Sequence, residues 1–182
     1  MADHGTSRFH AGQTALIALV PEVEPAVQAW RERYDPAARA GVPAHITVLF
    51  PYLPASRIDT HVHSALTDII GRHHTIHARF ATCGRFPGVL YLTPQPQAPL
   101  RRLTLDITHH WPETPPYQGH FADIIPHLTI AQDQPDTVLN NIETHLHTTL
   151  PLTTHITTID LITHNGTTWQ HHTTFPLRPD KP

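Results

Sequence analysis

The chain has 182 residues, enough to bury a hydrophobic core and short enough for one domain of two tightly joined lobes. Apolar residues make up 39% of it and charged residues only 15%, and 12 Lys and Arg against 15 Asp and Glu give a formal net charge of −3. This balance excludes a protein that holds long nucleic acid mainly by neutralising its phosphates.

The cysteine content and the amino terminus indicate the compartment. Cys83 is the only cysteine, so the chain can form no internal disulfide and carries no cysteine-based zinc motif. The segment from Met1 to Gln13 lacks the basic start and the long apolar stretch of a signal peptide. No segment approaches a run of about 20 apolar residues, the length that crosses a membrane. We therefore expect a cytoplasmic protein with no membrane partner.

The first half of the chain predicts the order strand, helix, strand, helix, strand. Apolar runs over 14–20 and 45–50 predict the first two strands, and Pro51 ends the second. A third strand is predicted near 75–82. The apolar residues of the two intervening helices recur at helical spacing. They are Val23, Val27, Trp30 and Tyr34 in the first helix and Ile58, Val62, Leu66 and Ile69 in the second.

The second half repeats this pattern and adds a hairpin. Strands are predicted over 89–93 and 127–131. Two further strands, over 156–163 and 169–177, flank an Asn-Gly dipeptide at 165–166, which is a strong signal for a tight hairpin turn. The apolar residues of two helices again recur at helical spacing. They are Leu100, Leu103, Ile107 and Trp111, then Val138, Ile142, Leu146 and Leu150.

The repeated element order predicts an α+β fold built from a duplicated unit. We expect a single domain over 1–182, with lobe one over roughly 14–84 and lobe two over roughly 85–177. A pseudo-two-fold axis would relate the lobes, antiparallel-rich sheets would line a central cleft, and the helices would lie outside. The cleft between the lobes is the expected site of function.

One four-residue pattern occurs at the same place in both halves. It is His-Ile-Thr-Val at 45–48 and His-Leu-Thr-Ile at 127–130, each within a predicted strand. Alternate strand residues point to one face, so each copy offers an imidazole and a hydroxyl to a common surface. Two such pairs across a cleft supply a general base, a general acid and two hydroxyl donors, which suffice to cleave a phosphodiester without a metal. A similar stretch at 155–158 lacks the apolar fourth residue.

The two motifs and their flanking residues resemble those of a known family. The segments 44–51, 86–92 and 126–131 resemble the 2H phosphoesterase superfamily, and specifically its bacterial 2′-5′ RNA ligase-like branch. By element order the resemblance covers about 14–177. It implies a fold of two similar lobes in which both motif histidines are catalytic and both motif threonines hold phosphate oxygens.

Carried over to this chain, the resemblance implies that His45 and His127 are catalytic and that Thr47 and Thr129 bind the substrate. The implied activity is hydrolysis of a 2′,3′-cyclic phosphate to a 2′-phosphate, with 2′-5′ ligation of RNA ends as the reverse-sense reaction. The implied partner is a nucleotide 2′,3′-cyclic phosphate or an RNA end, with no cofactor and no metal, and we expect a monomer. An ordinary imidazole has a pKa of about 6.5, so one copy can accept a proton while the other donates one.

Five further residues are weaker candidates. Phe50, Phe86, Tyr91 and Tyr117 could each offer a ring on which a nucleobase stacks. Core packing is the favoured alternative for each of them taken singly. Arg85 could bind a phosphate, although an arginine beside a strand is more often solvated. Of these five we keep Phe86 and Arg85 as substrate-binding candidates.

Two other functions remain open from the sequence. The same cleft could recognise a nucleotide or an RNA end without turnover, and the 18 histidines could indicate a metal-binding protein. However, no His-Glu-x-x-His motif occurs, and the His-x-His pairs at 61–63 and 145–147 fall on predicted helices, where residues two apart diverge. We therefore expect no metal site and attribute the excess of histidine to compositional drift.

Overall fold

The structure is a computed structural model that describes residues 8–120 and 123–180. The strands of this part of the chain are β1 (Thr14–Leu19), β2 (His45–Leu49), β3 (Ile76–Phe86), β4 (Val89–Gln95), β5 (Leu128–Ala131), β6 (Leu152–Ile156), β7 (Thr158–His164) and β8 (Trp169–Pro176). The helices are α1 (Glu24–Tyr34), α2 (Pro36–Arg39), α3 (Thr60–Ile70), α4 (Ala98–His110) and α5 (Asp136–His147). Short 3-10 turns lie at Ala55–Arg57 and Pro116–Gly119. Within this described part, no helix has the length and apolar character needed to cross a membrane.

The strands form two four-stranded antiparallel sheets. Their orders are β2-β1-β7-β8 and β5-β4-β3-β6, and each neighbouring pair is antiparallel. The two motif strands, β2 and β5, are edge strands of different sheets, and they pack against each other. The predicted α+β class with antiparallel sheets is therefore confirmed, and the two motifs meet where the sheets join.

The helices cover the sheets in a reciprocal way. Helix α1 follows β1 but packs on β5 of the other sheet, and α4 follows β4 but packs on β2. Helix α3 packs against α4 and β8, and α5 packs against β4. Each motif strand thus packs against a helix that is connected in sequence to strands of the other sheet. A pseudo-two-fold relation between the two sheets requires this exchange.

The two sheets do not divide at the predicted boundary between the lobes. Strand β3 crosses the expected division between 84 and 85 and belongs to the second sheet. The terminal hairpin, expected in lobe two, extends the first sheet beside β1. The cause is strand pairing, because a two-residue turn joins β3 to β4 as a hairpin while β1 pairs with β7 along its second edge. The sheets therefore draw on interleaved segments rather than on 14–84 and 85–177.

Two predicted strands also differ from the observed ones. Strand β3 runs to Phe86, beyond the predicted end at 82. The strand predicted over 156–163 corresponds to β7, whereas β6, which ends at Ile156 and joins the other sheet, is not among the predicted strands. An apolar run shows where a strand can form, but it does not show that the chain passes from one sheet to the other within that run.

Alternation along the motif strands separates the core from the site. Ile46 and Leu128 are fully buried in an apolar core that extends across both sheets. The histidine and threonine of each motif, on either side of these residues, are only half-buried. A second, smaller apolar cluster around Ile17 and Trp169 lies on the opposite face of the first sheet. The observed burial thus follows the alternation that the sequence predicts.

Candidate active site

Cross-strand register shows which face of each sheet carries the motif side chains. In the first sheet, His45 lies opposite Leu19 and Thr47 lies opposite Ile17 of β1. In the second sheet, Thr129 lies opposite Tyr91 of β4. Directly opposite residues of paired strands share a face. We call the faces that carry the motif histidines and threonines the site faces of the two sheets.

The two motif histidines are held by the same hydrogen bond. Nδ1 of His45 lies 2.8 Å from the carbonyl oxygen of Pro43, and Nδ1 of His127 lies 2.6 Å from that of Ile125. A carbonyl only accepts, so each Nδ1 carries the hydrogen and donates it to the residue two positions earlier. Each Nε2 is therefore a proton acceptor whenever its ring is neutral.

Burial makes both imidazoles harder to protonate. It is the main cause that lowers the pKa of His45 to about 4, and the positive charge of Arg31 adds to it. The hydrogen bond to the Pro43 carbonyl and the negative charge of Asp35 act in the opposite direction. Burial also lowers the pKa of His127. Both imidazoles are therefore neutral at pH 7 before substrate binds.

Tyr117 joins the two motifs. Its hydroxyl is hydrogen-bonded to the side chain of Thr47, and its ring lies 6.5 Å from that of His127 with an angle of 23° between the planes. Its backbone amide donates to the carbonyl of Phe50 at the end of β2, at 2.7 Å. Tyr117 and Gln118 have φ angles of 50° and 58°, in the left-handed region that non-glycine residues rarely adopt. A strained backbone therefore holds this tyrosine against both motifs.

Phe86 and Tyr91 form an aromatic wall beside the second motif. Their ring centroids are 4.5 Å apart, and they lie 5.3 and 5.1 Å from the ring of His127. Gly84 makes this arrangement possible, because any side chain there would collide with the ring of Tyr91. Phe86 is half-buried and Tyr91 is buried. Of the two rings, Phe86 has the more accessible surface for a ligand.

Phe50 packs in the second apolar cluster. Its ring lies 6.1 Å from that of Phe9 and 5.9 Å from that of Trp169, edge to face in both cases. These contacts favour the core-packing interpretation of Phe50.

Arg85 lies away from the motif residues. It stands opposite Leu90, whereas Phe86 points to the other face of β3. Its Nε donates to Glu143 at 3.1 Å, and its Nη2 donates to Asn140 at 2.7 Å, both residues being on α5. The guanidinium of Arg85 is thus held in an ion pair on the face of the sheet that α5 covers. The expectation that Arg85 binds phosphate is therefore corrected, because strand alternation sends its side chain to the wrong face.

A buried ion pair that sequence reasoning missed lies next to the motifs. Arg31 in α1 and Asp35, which follows this helix, have side chains 1% and 3% exposed, and Nη2 lies 2.8 Å from Oδ2. Nε of Arg31 donates to the backbone carbonyl of Thr129 at 3.2 Å. One signal was available in the sequence. Arg31 follows Val27 by one helical turn, so it occupies the apolar side of α1 with an acidic residue four positions later.

The histidines outside the motifs are dispersed. His77 and His155 stack on neighbouring strands with their rings 3.9 Å apart, and Nε2 of His73 pairs with Asp106 at 2.9 Å. Among residues 8–120 and 123–180, no three His, Cys, Asp or Glu side chains are grouped so that they could hold a metal ion. The metal-binding alternative therefore gains no support from the described residues.

The sequence profile of the 2′-5′ RNA ligase superfamily matches residues 19–168, a range that includes both motifs. The chain belongs to this superfamily. The resemblance to 2H phosphoesterases that the motifs indicated is thus confirmed at the level of the superfamily. A comparison with curated protein sequences gave no match.

Solved structures show the same fold. LigT of E. coli complexed with 3′-AMP superposes with a TM-score of 0.60 at 18% sequence identity, over 92% of this chain and 99% of LigT. LigT complexed with NADP+ gives a TM-score of 0.57 at 18% identity, over 93% and 99%. The protein TT0787 of Thermus thermophilus gives 0.59 at 18% identity, over 93% of this chain and 100% of the other. At this identity the likeness establishes the fold of the superfamily for this chain.

Proposed function

We propose that this chain is a metal-independent phosphoesterase that hydrolyses 2′,3′-cyclic phosphates, on nucleotides or RNA ends, to 2′-phosphates. The observation that carries the proposal is the matched tethering of His45 and His127. Each donates Nδ1–H to a backbone carbonyl two residues earlier, so each keeps Nε2 for proton transfer. Two such imidazoles, one neutral and one protonated, are the groups that general acid–base displacement at phosphorus requires.

In the proposed reaction, one Nε2 removes a proton from water, and the water oxygen forms a bond to phosphorus. The bond between phosphorus and the ribose 3′ oxygen breaks, and the other imidazolium donates its proton to that oxygen. The phosphate stays on the 2′ oxygen, and the two histidines end with exchanged protonation states. Attack and departure lie on opposite sides of phosphorus, and the location of the motifs on different sheets supports this arrangement.

We assign the proton acceptor to His45 and the proton donor to His127. The positive charge of Arg31 lowers the pKa of His45 in addition to burial, whereas burial is the cause at His127. His45 is thus the ring that stays neutral more readily. A bound cyclic phosphate brings a negative charge that raises both pKa values and allows one imidazolium to form.

The hydroxyls and the aromatic wall complete the proposed site. Thr47 and Thr129 donate to the nonbridging oxygens of the phosphate, where negative charge accumulates in the transition state. Phe86, half-buried beside His127, offers a ring surface to the nucleobase. Structures of E. coli LigT with 3′-AMP and with NADP+ support a nucleotide ligand. A ribose 5′-hydroxyl in place of water would give a 2′-5′ linkage by the same steps, which is the ligation reaction.

Turnover of 2′,3′-cyclic AMP in excess EDTA tests this proposal. We expect chelator-resistant formation of 2′-AMP, separated from 3′-AMP by chromatography. The control is the double variant H45A/H127A purified in parallel, which keeps the rest of the cleft and lacks both imidazoles.

Three outcomes would contradict the proposal. Formation of 3′-AMP would mean that the other phosphorus–oxygen bond breaks. Loss of turnover in EDTA with recovery on adding a divalent metal would mean metal-dependent chemistry. Binding of 2′,3′-cyclic AMP by the wild-type protein without any turnover would identify a nucleotide-binding module.

A further inference from the structure

We propose that Arg31 is a positioning residue that holds the two motifs in a fixed relation to each other. The inference rests on the proposed function, because it assumes that both motifs act on one phosphate. Arg31 is 1% exposed, so it acts through its neighbours and not by touching the substrate.

The guanidinium of Arg31 hydrogen-bonds to the backbone next to both motifs. Its Nε donates to the carbonyl oxygen of Thr129 at 3.2 Å, and Nη1 and Nη2 both donate to that of Val42 at 3.3 Å. Nη2 also donates to the carboxylate of Asp35 at 2.8 Å. The guanidinium is planar and its donor directions are fixed. It therefore constrains the relative positions of these acceptors.

Both carbonyls are close in the chain to the reacting groups. Val42 precedes Pro43, whose carbonyl accepts the hydrogen bond from Nδ1 of His45. The carbonyl of Thr129 belongs to the motif threonine itself. A shift of Arg31 would therefore change the orientation of the His45 ring relative to the Thr129 hydroxyl.

Glu24 adds a second tie from the same helix. Its carboxylate accepts a hydrogen bond from the backbone amide of Ala44 and lies 3.9 Å from Nη1 of Arg31. Helix α1 packs on β5 of the second sheet. Its side chains thus form hydrogen bonds at two points with residues 42–44, the segment just before the first motif. Helix α1 therefore connects the second motif strand to the segment just before the first one, and Arg31 hydrogen-bonds to the backbone of both.

Stability alone does not account for this buried pair. Removing two charges from water costs several kcal/mol per ion, and replacing a buried pair by apolar residues of similar volume is often neutral or stabilising. The contribution expected from Arg31 and Asp35 is therefore geometric. Errors of about 1 Å in the placement of catalytic groups can reduce rates by about 10²-fold.

The charges of Arg31 and Asp35 can be followed through the pKa of His45, which a merely structural role of the pair would not change. The groups whose charges act on His45 are Arg31, Asp35 and His127. Removing the positive charge of Arg31 raises the pKa of His45, whereas removing the negative charge of Asp35 lowers it. The variants R31M and D35N should therefore move the NMR titration midpoint of His45 in opposite directions.

The double variant R31M/D35N separates positioning from stability. It removes both charges of the buried pair, and the asparagine introduced at position 35 keeps a side-chain oxygen for the amide of Ala37, which donates to Oδ1 of Asp35 at 3.0 Å. We expect a folded protein with an unfolding midpoint close to that of wild type and a kcat for 2′,3′-cyclic AMP about 10- to 100-fold lower. R33M makes the same change at an exposed arginine of α1 and should keep the wild-type kcat.

A folded R31M/D35N with wild-type kcat would overturn the inference, as would single variants that leave the His45 midpoint unchanged. If the double variant does not fold, the variant R31K tests the inference instead. Lysine keeps the positive charge but cannot reproduce the planar set of donors of the guanidinium. A lower kcat for folded R31K at an unchanged His45 midpoint supports positioning, and a wild-type kcat overturns it. An inactive wild-type protein contradicts the proposed function instead, and the NMR midpoints can be measured without turnover.

Discussion

The hydroxyl of Tyr117 is hydrogen-bonded to the side chain of Thr47. A residue from the loop before the second motif therefore contacts the first motif. Burial raises the pKa of Tyr117 to about 12, and the hydroxyl therefore stays protonated at neutral pH. Because it is protonated, the tyrosine hydroxyl can donate to Oγ1 of Thr47 and leave the threonine hydrogen for a phosphate oxygen. The pair thus orients one of the two proposed phosphate donors.

Tyr117→Phe is expected to lower kcat/KM for 2′,3′-cyclic AMP by a factor of about 2 to 10, the worth of one net hydrogen bond of about 0.5–1.5 kcal/mol. Steady-state kinetics measures this, with Tyr34→Phe as the matched control, because Tyr34 is half-buried and stacks on Trp30. An increase in kcat/KM would contradict the orienting role and would mean that the hydroxyl competes with the substrate for Thr47.

The pH dependence of kcat/KM should be bell-shaped with its maximum below pH 6.5. Both motif histidines have a pKa lowered from the ordinary 6.5, and the form with one proton on the pair is most populated between the two lowered values. Above this window the donor loses its proton, and below it the acceptor is protonated. In the kcat profile the maximum should move to higher pH, because bound phosphate raises both pKa values. A profile that is flat from about pH 5 to 9 with chemistry rate-limiting would exclude paired imidazoles.

Local patterns are sufficient to predict the motif strands. A strand needs only alternation between neighbouring residues, so Ile46 and Leu128 identify the buried face and leave the histidines and threonines on the other. The repeated signature predicts that the two strands act together, and their contact across the sheet boundary agrees with this. The hairpin around 165–166 is equally local, since its turn residues lie within the pattern itself.

Long-range pairing and buried polar contacts are not predictable in the same way. The partners of β3 and β7 depend on which sheet edges are free, and no property of either strand alone specifies this. The role of Arg31 depends on carbonyls at Val42 and Thr129, which are far from it in sequence. Tyr117 depends on a left-handed backbone that no residue-type preference indicates.

Nucleic acid should bind locally at the cleft and not along an extended basic surface. Lys and Arg are fewer than Asp and Glu, and no basic run exceeds Arg101-Arg102, so few counterions can be released on binding. We expect a shallow slope of log affinity against log salt, and little gain when an RNA is extended beyond a few nucleotides from its cyclic-phosphate end. Titrations of short and long RNAs at two salt concentrations measure both, and a steep slope that grows with RNA length would contradict the expectation.

Tyr52→Phe is expected to stabilise the protein. Tyr52 is 4% exposed and packs edge to face on Trp111 at 5.3 Å, and among the described residues its buried hydroxyl finds no hydrogen-bond partner. Removing an unsatisfied buried hydroxyl should raise the free energy of unfolding by about 1 kcal/mol. Urea unfolding measures the change, and a loss of stability of similar size would mean that the hydroxyl has a partner in solution.

The kcat values of H45A and H127A test the central claim most directly. Each variant removes one of the two proton-transfer groups, and we predict that each lowers kcat for 2′,3′-cyclic AMP by about 10²- to 10⁴-fold. The circular dichroism spectrum and unfolding midpoint should stay close to wild type, since both rings are only half-buried. H155A is the matched control, because it changes an exposed histidine in the similar stretch at 155–158, and it should keep the wild-type kcat. A near-wild-type kcat for either H45A or H127A would contradict catalysis by the paired motifs.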